Sequence, residues 1–521
     1  MEKKKLQIWI PLLLSLSMVA GMFIGFKLRD SFTGTSFFFI QKPKAIEEVL
    51  NLIEKNYVDD VDINKLSDTA IQAMLSKLDP HSTFISADEL EDVNAEIDGS
   101  FYGIGIEFDL FDDTLYVLQA LNDGPAEKAG IQSGDKFIKV NGIPVSGKKM
   151  ETDSIRKIIR GERGSMLKTE ILRNGKKIEL SVKRDMIPLN SVEAAFMLDR
   201  ETGYIRLDKF SSQTYREFMT GLDSLKKLGM KKLIFDLRNN GGGILDEAVE
   251  IADEFLDGDK LITYTEGKHS PKKEYRCRRT GQFEKGALVV LADETSASAS
   301  EVILGALQDW KRATIIGRRS FGKGLVQEQY ELSNRSALRL TVARYYTPLG
   351  RSIQRSYANG GKAYYDEIEK RINGGEDSLK IINHKDSSGK KLFVHGGIMP
   401  DIYIDADTAK FSNAVNMLFS NGIIRQAAFL IFKENPAIKS AYKTPTDFIN
   451  GFMLTNQHMQ LLQQLAQKDS INIGIITEAQ KAEIAKYIKA NIARHLWYDN
   501  GYYEVLNKTD KDVLKALEVL K

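Results

Sequence analysis

The sequence predicts a multidomain α/β chain: a membrane anchor, a helical segment, a small β module, a mixed α/β core and a helical C-terminal extension. Three observations carry that prediction. Between residues 186 and 404, short apolar runs alternate with amphipathic helical stretches, the pattern of a parallel or mixed sheet. Between 99 and 185 the texture changes to short alternating strands separated by glycine turns. From 405 to 521, apolar residues recur at three- and four-residue steps through "NAVNMLFSNGIIRQAAFLIF" and "EAQKAEIAKYIKANIARHLWY", which predicts several amphipathic helices.

Residues 1–27 are a basic tip followed by an uncharged run from Leu6 to Phe26, about the ~20 residues a membrane-spanning helix needs. Lys3, Lys4 and Lys5 should stay cytoplasmic and send the rest of the chain across the membrane. The competing reading is a cleaved signal peptide, although the run is long and no A-x-A site ends it. On either reading the bulk of the chain lies outside the cytoplasm, and the expected location is the bacterial inner membrane with a periplasmic body. Residues 28–98 read as a linker (Gly34 to Lys42) and a helical region, with helices in "AIEEVLNLIEKNYV", at Ile63 to Leu78 and at Ala87 to Ile97. Within "KLDPHSTFIS", His81 reads as a turn or capping residue.

Composition sets limits. The 521 residues are 42% hydrophobic and 28% charged, ordinary values for a folded protein, and a net charge of +2 gives no case for nucleic acid. Cys277 is the only cysteine, so neither an intramolecular disulfide nor a cysteine metal cluster can form. The six histidines lack H-x-x-x-H spacing, which argues against a zinc peptidase. No cofactor is implied.

The chemistry concentrates between Ala287 and Gln327. An apolar run, Ala287 to Ala292, predicts a buried strand, and a helical pattern follows from Ala297 to Trp310 with Val302, Ile303, Ala306, Leu307 and Trp310 on one face. Ser298 therefore sits at a strand-to-helix turn, where unpaired amides and the helix dipole favour a developing oxyanion. A strand at Ala313 to Ile316 leads into "FGKG", with Lys323 between two glycines. A serine needs a base, and a lysine can be that base only when neutral, as burial makes it. Gln327 is a neutral candidate for orienting the lysine. The bland reading of "SASASE" is a helix cap. The turn "RNNGGG" at Gly241 to Gly243 carries no side chains, so its amides can approach a carbonyl; no G-K-[ST] follows, so it is not a P-loop.

"TSASASE" followed by "GRRSFGKGLVQ" resembles the active-site signature of the C-terminal processing, or tail-specific, serine endopeptidases. That resemblance implies Ser298 as nucleophile, Lys323 as general base and Gln327 as the group that orients it. It implies an oxyanion hole from the amide of Gly242 or Gly243 together with that of Ala299. The family shows "DLRNNPGG" where this chain has Gly241 in place of proline. "FYGIGIEF" and "DGPAEKAGIQSGDKFIKVNGIPV" closely resemble PDZ domains, which implies that Tyr102, Gly103, Ile104, Gly105 and Ile106 form a loop binding a peptide C-terminus. "TPLGRSIQ" and "HGGIMPDIYI" also match, so the resemblance covers Leu78 to Ile404.

Five regions are therefore expected: an anchor or signal peptide at 1–27, a linker and helices at 28–98, a PDZ domain at 99–185 and a protease domain at 186–404 as the resemblance implies, and a helical extension at 405–521 that falls outside it. The protease core is expected to be similar to the crotonase fold. The expected activity is endoproteolysis of exported proteins recognised by apolar C-terminal tails. A membrane-tethered PDZ scaffold on an inactive protease fold would have lost the serine, lysine or glutamine, and all three are present. An acyl-CoA enzyme would need neither the PDZ-like module nor the anchor. Residues Lys362 to Ser388, charged and glycine-punctuated, are expected to be an exposed insertion or loop. A dimer contact through the N-terminal helices and an adaptor on the extension stay open.

Overall fold

The computed structural model describes residues 9, 11, 13–23, 27, 45–374, 384–385, 391–392, 396–407 and 411–521. It divides into two compact units, Met1–Ala73 and Met74–Lys521. In the first, the described part of the apolar run is a helix, Leu13–Phe23, followed by α1 (Ala45–Asn56) and by most of α2 (Ile63–Leu75). Among the described residues no single helix is long and apolar enough to cross a membrane. Lys3, Lys4 and Lys5 and the expected linker at Gly34 to Lys42 lie outside the described residues. Helix α1 buries none of its residues.

The second unit opens with β1 (Thr83–Ile85) and α3 (Ala87–Asp98), and then builds the small β module. Its strands are β2 (Ser100–Gly103), β3 (Ile106–Phe111), β4 (Thr114–Ala120), β5 (Lys136–Val140), β6 (Ile143–Pro144), β7 (Met166–Arg173), β8 (Lys176–Lys183) and β9 (Asp185–Pro188). Two helices interrupt them, α4 (Pro125–Lys128) and α5 (Thr152–Ile159). One antiparallel sheet runs β3-β4-β5-β7-β8, and β2 pairs with β9 apart from it. Strand β3 pairs only with β4 among the described residues, so its second edge is open. The core is a single cluster around Leu115, Val117, Phe137, Ile155 and Ile171.

The central sheet has the order β10 (Val192–Met197), β11 (Thr202–Leu207), β12 (Lys232–Asp236), β15 (Ala287–Ala292), β16 (Thr314–Gly317) and β21 (Ile402–Tyr403). Strand β10 is antiparallel to β11 and the other neighbours are parallel. All six residues of β11 are buried, as a sheet covered on both faces requires. Helices α6 (Thr214–Lys227), α7 (Leu245–Asp253) and α8 (Ala299–Asp309) cover one face. A second sheet, β1-β18-β13-β14 with β17 on β18, is built from β13 (Leu261–Glu266), β14 (Lys273–Arg276), β17 (Leu325–Glu331) and β18 (Ala337–Tyr346). Helix α8 lies against α7, β13 and β16, so it is buried all round rather than on one face. The expected apolar stripe is only part of its contact surface, and Trp310, just beyond its end, is partly exposed and donates its indole N–H to the Leu261 carbonyl at 2.8 Å.

The expected loop at Lys362 to Ser388 begins as helix α9 (Gly360–Gly374), which buries Tyr364. Residues 375–383 and 386–388 of that stretch lie outside the described residues; β19 (His384–Lys385) and β20 (Lys391–Leu392) pair as a short hairpin. The C-terminal region is helical throughout: α10 (Asn413–Ser420), α11 (Ile423–Glu434), α12 (Ile438–Ala441), α13 (Pro445–Gly451), α14 (Asn456–Lys468), α15 (Glu478–Asn507) and α16 (Lys511–Val519). The pair α10–α11 is apolar enough for a bent span, yet its apolar residues form the core of this helical region. Helix α16 does something the sequence does not announce. Val513 and Ala516, with Leu520 just past its end, pack onto Tyr204, Ile234, Val289 and Leu291 and so close the second face of the central sheet. The extension is thus a layer of the central-sheet fold.

Candidate active site

The site lies where β15 turns into α8. Ser298 adopts φ 55° and ψ −113°, a strained conformation for a residue with a side chain, and this places it at a sharp strand-to-helix turn. The turn is held by its neighbours: Ala297 donates its N–H to the Asn240 carbonyl at 2.9 Å, and Ser300 Oγ donates to the same carbonyl at 3.0 Å. The glycine turn after β12 thus packs directly on the serine. A Cβ at Gly242 (φ +97°) would come within 2.7 Å of Ser298 Cβ, which is why no side chain fits there.

Ser298, Lys323 and Gln327 line one cleft of about 370 Å³, together with Gly243, Ala299, Val302, Leu325 and Arg339. Lys323 Nζ donates to Gln327 Oε1 at 2.8 Å, and no hydrogen bond joins it to Ser298 Oγ. The Lys323 pKa is lowered from 10.5 to about 8, chiefly by burial and then by the nearby Arg339 charge, with Glu301 and Asp79 opposing them. Gln327 is itself anchored, its Nε2 donating to the carbonyl of His81. His81 is therefore more than a turn residue. Its amide and that of Ser82 donate to Asp79 Oδ1, each at 2.8 Å, while its ring meets the Tyr364 hydroxyl at 3.0 Å. Burial and the Lys323 charge push the imidazole down to about 4, so it is neutral at physiological pH.

Of the two alternative oxyanion donors, Gly242 is already engaged: its N–H donates to Asn240 Oδ1 at 2.9 Å. Gly243 and Ala299 line the cleft, and their amides have no hydrogen-bond acceptor among the described residues. In the β module, Tyr102 and Gly103 belong to β2 and Ile106 begins β3, so only Ile104 and Gly105 form the connecting loop. Their amides also have no acceptor among the described residues.

Two residues missed as site components tie the serine to the lysine. Glu301, the glutamate that ends "SASASE", is fully buried and accepts four hydrogen bonds. Its donors are Ser298 N–H (2.9 Å), Ser320 Oγ (2.5 Å), Gly322 N–H (2.7 Å) and Lys323 N–H (2.8 Å). Burial raises its pKa while those donors pull it back. Tyr345 works from the other side: its hydroxyl lies 2.9 Å from the Ser298 carbonyl and 2.5 Å from the Lys323 carbonyl. The glutamate three residues into the helix was legible as a pattern; nothing local marks Tyr345. Below the turn, Arg238 donates to Asp236 and to Asp510 and Asp512.

Comparison with known proteins settles the family. Residues 201–363 match Peptidase family S41, 103–183 a PDZ domain, 29–89 the activating protease CtpB N-terminal domain, and 414–499 a family of unknown function. The chain is 35% identical to the carboxy-terminal-processing protease of Bartonella bacilliformis, over 59% of this chain and 71% of that one. The chain belongs to peptidase family S41. It is a serine-type peptidase of the C-terminal processing group, with a PDZ domain. It is also 36% identical to the carboxy-terminal processing protease CtpA of Bacillus subtilis, over 60% of this chain and 66% of the other. Among solved structures, the photosystem II D1 C-terminal processing protease matches with 26% identity over 70% of this chain and 93% of that chain, at a TM-score of 0.35.

The charge of Arg339 makes a prediction within this site. Replacing Arg339 with Gln should raise the Lys323 pKa, because a cation that disfavours protonated lysine is gone. If lysine must be neutral to act, peptidase activity at pH 7 should fall while activity near pH 10 changes little, so the profile shifts to higher pH. A pH profile superimposable on the wild-type curve would show that Arg339 does not bear on the base.

Proposed function

We propose that this peptidase cleaves exported proteins through a Ser298–Lys323 pair and recognises them by their apolar C-terminal tails. The observation that supports it best is Lys323, held by Gln327 in the same cleft as the serine, with burial bringing its pKa down to about 8. A substantial fraction is then neutral at pH 7 to 8, and the neutral amine takes the proton as Ser298 Oγ attacks the peptide carbonyl. The N–H groups of Gly243 and Ala299 receive the oxyanion, and the proton passes from Lys323 to the leaving amine. Water then attacks the acyl-enzyme with Lys323 again as base. Gln327 keeps the lysine in place. Val302 and Leu325 make part of the cleft wall apolar.

Tail recognition rests on the loop Ile104–Gly105, whose two free amides suit a carboxylate, and on the open edge of β3, where an extended peptide can add as a strand. The N-terminal apolar run holds the body of the enzyme at the outer face of the inner membrane. The full chain in detergent should cleave an unfolded reporter ending in a free apolar tail faster than the same reporter amidated at its C-terminus. Equal rates would remove tail recognition. Cleavage by Ser298→Ala at the wild-type rate would remove the serine assignment.

A further inference from the structure

Strand β3 turns Ile106, Phe108 and Leu110 into the core of the PDZ domain. Because side chains alternate along a strand, Glu107, Asp109 and Phe111 face the other way. Each meets the C-terminal helices. Arg494 Nη1 pairs with Glu107 at 2.8 Å and Arg425 Nη2 with Asp109 at 3.1 Å. Phe111 packs on the buried ring of Phe429, with centroids 5.8 Å apart. The strand so gripped is the one that leaves the loop Ile104–Gly105 and keeps an open edge.

The same helical region grips the catalytic domain. Asn500 Oδ1 accepts the Ala195 N–H of the edge strand β10 at 2.9 Å, and Tyr503 donates to Glu193 at 2.7 Å. Asp510 accepts from Arg238 Nη1 through both oxygens, at 3.0 and 2.9 Å, and Arg238 opens the turn that ends in Gly243. Between the two grips, helix α15 is broken at Trp497 and Tyr498, the latter at φ 55° and ψ −152°. A tyrosine in that region is strained and persists only where its surroundings hold it. Arg494 spans the break, pairing with Asp499 at 2.7 Å while it holds Glu107.

We infer that residues 413–521 are a clasp that fixes the tail-binding edge of the PDZ domain at one distance and direction from Ser298, and that Arg425 and Arg494 thereby set how far from the substrate's C-terminus the cut falls. This rests on the tail-recognition reading above. A tail captured by a fixed domain presents only the bonds that one length of extended chain carries to the serine. A loosened domain presents many, and the gain in effective concentration is spread over them. Partly exposed ion pairs are individually weak, so the double reversal is the informative change.

The test uses the full chain and unfolded reporters with a series of spacers before a free apolar tail, each also made with an amidated tail, with cut positions read by mass spectrometry. Wild type should cut in a narrow window at constant distance from the tail, with a gain from the free tail of about tenfold or more. Arg425→Glu/Arg494→Glu should cut across a broad range and lose most of that gain, while its rate on amidated reporters stays at the wild-type level. Adding Glu107→Arg and Asp109→Arg should restore the window. Should the double reversal lose rate on amidated reporters as well, Arg425→Gln/Arg494→Gln carries the same comparison. A clasp variant that keeps the wild-type window and tail gain overturns the inference, as does a folded charge-swapped protein that stays broad. Wild type with no tail gain overturns tail recognition itself, and the clasp's part in specificity falls with it.

Discussion

Replacing Lys323 with methionine should abolish peptide hydrolysis and, at neutral pH, make the folded protein more stable. The loss of activity follows from the role proposed for the lysine: without a base the serine is a poor nucleophile, and removing one member of such a unit costs on the order of 10⁴-fold or more in kcat. The gain in stability follows from the direction of the pKa change. Lys323 titrates at 10.5 when free and at about 8 in the folded chain, chiefly because burial disfavours its charge. Between those values the folded state binds fewer protons than the unfolded state. The penalty of burying a charged lysine is therefore present in full below pH 8, shrinks as pH rises, and is gone above 10.5. That difference corresponds to about 3 kcal/mol, from which the lost hydrogen bond to Gln327 must be subtracted. Thermal melts of Lys323→Met and wild type should differ most at pH 7 and converge near pH 10.5. A methionine variant that melts below wild type at pH 7 would mean that the lysine is not a buried charge under strain, and the case for its being a poised base would weaken with it.

What the sequence makes legible here is local. The strand at Ala287–Ala292, the serine at the head of a helix and the glycine-bracketed lysine are all written in stretches of a few residues, so periodicity and turn chemistry reach them. What it hides is whatever depends on distant segments meeting. The His81 carbonyl that anchors Gln327 comes from 246 residues away, and a carbonyl has no side-chain signature at all. Tyr345 lies in a strand that reads as ordinary β structure, and its hydroxyl gains meaning only once two carbonyls converge on it. Helix α8 shows the same limit in its packing. Amphipathicity identifies one buried face, but a helix enclosed by α7, β13 and β16 buries the others too, and small residues such as Ala299, Ser300 and Gly305 permit that without an apolar pattern. Gly242 and Gly243 could not be separated by sequence because the difference between them is one side-chain acceptor, Asn240 Oδ1.

Glu301→Gln is expected to reduce kcat by about 100-fold or more and to destabilise the fold, though it changes neither shape nor any group that touches substrate. The reason is donor and acceptor count. One carboxylate oxygen accepts from Ser320 Oγ and Gly322 N–H, the other from Ser298 N–H and Lys323 N–H. A glutamine replaces one oxygen by an NH₂ group, and either orientation of the amide turns that donor on two others. The Ser320 hydroxyl has little freedom to relieve the conflict, since its oxygen already accepts the Ile398 N–H at 2.6 Å. Orientation with the amide nitrogen toward Ser298 and Lys323 disturbs nucleophile and base together; the other disturbs Gly322, the residue before the lysine. Leaving buried donors unmatched costs about 1–3 kcal/mol each, so Glu301→Gln should melt well below wild type, and Glu301→Ala, which strands all four, lower still. A purely structural role would lower the melting temperature and leave kcat intact at a temperature where the variant is fully folded. The positioning role predicts a kcat deficit that persists there, with KM little changed, and a similar though smaller deficit in Tyr345→Phe, which loses the one hydroxyl bridging the same two residues on their carbonyl side. Both residues act on the backbone of Ser298 and Lys323, so the two variants together should lose less than the product of their separate effects.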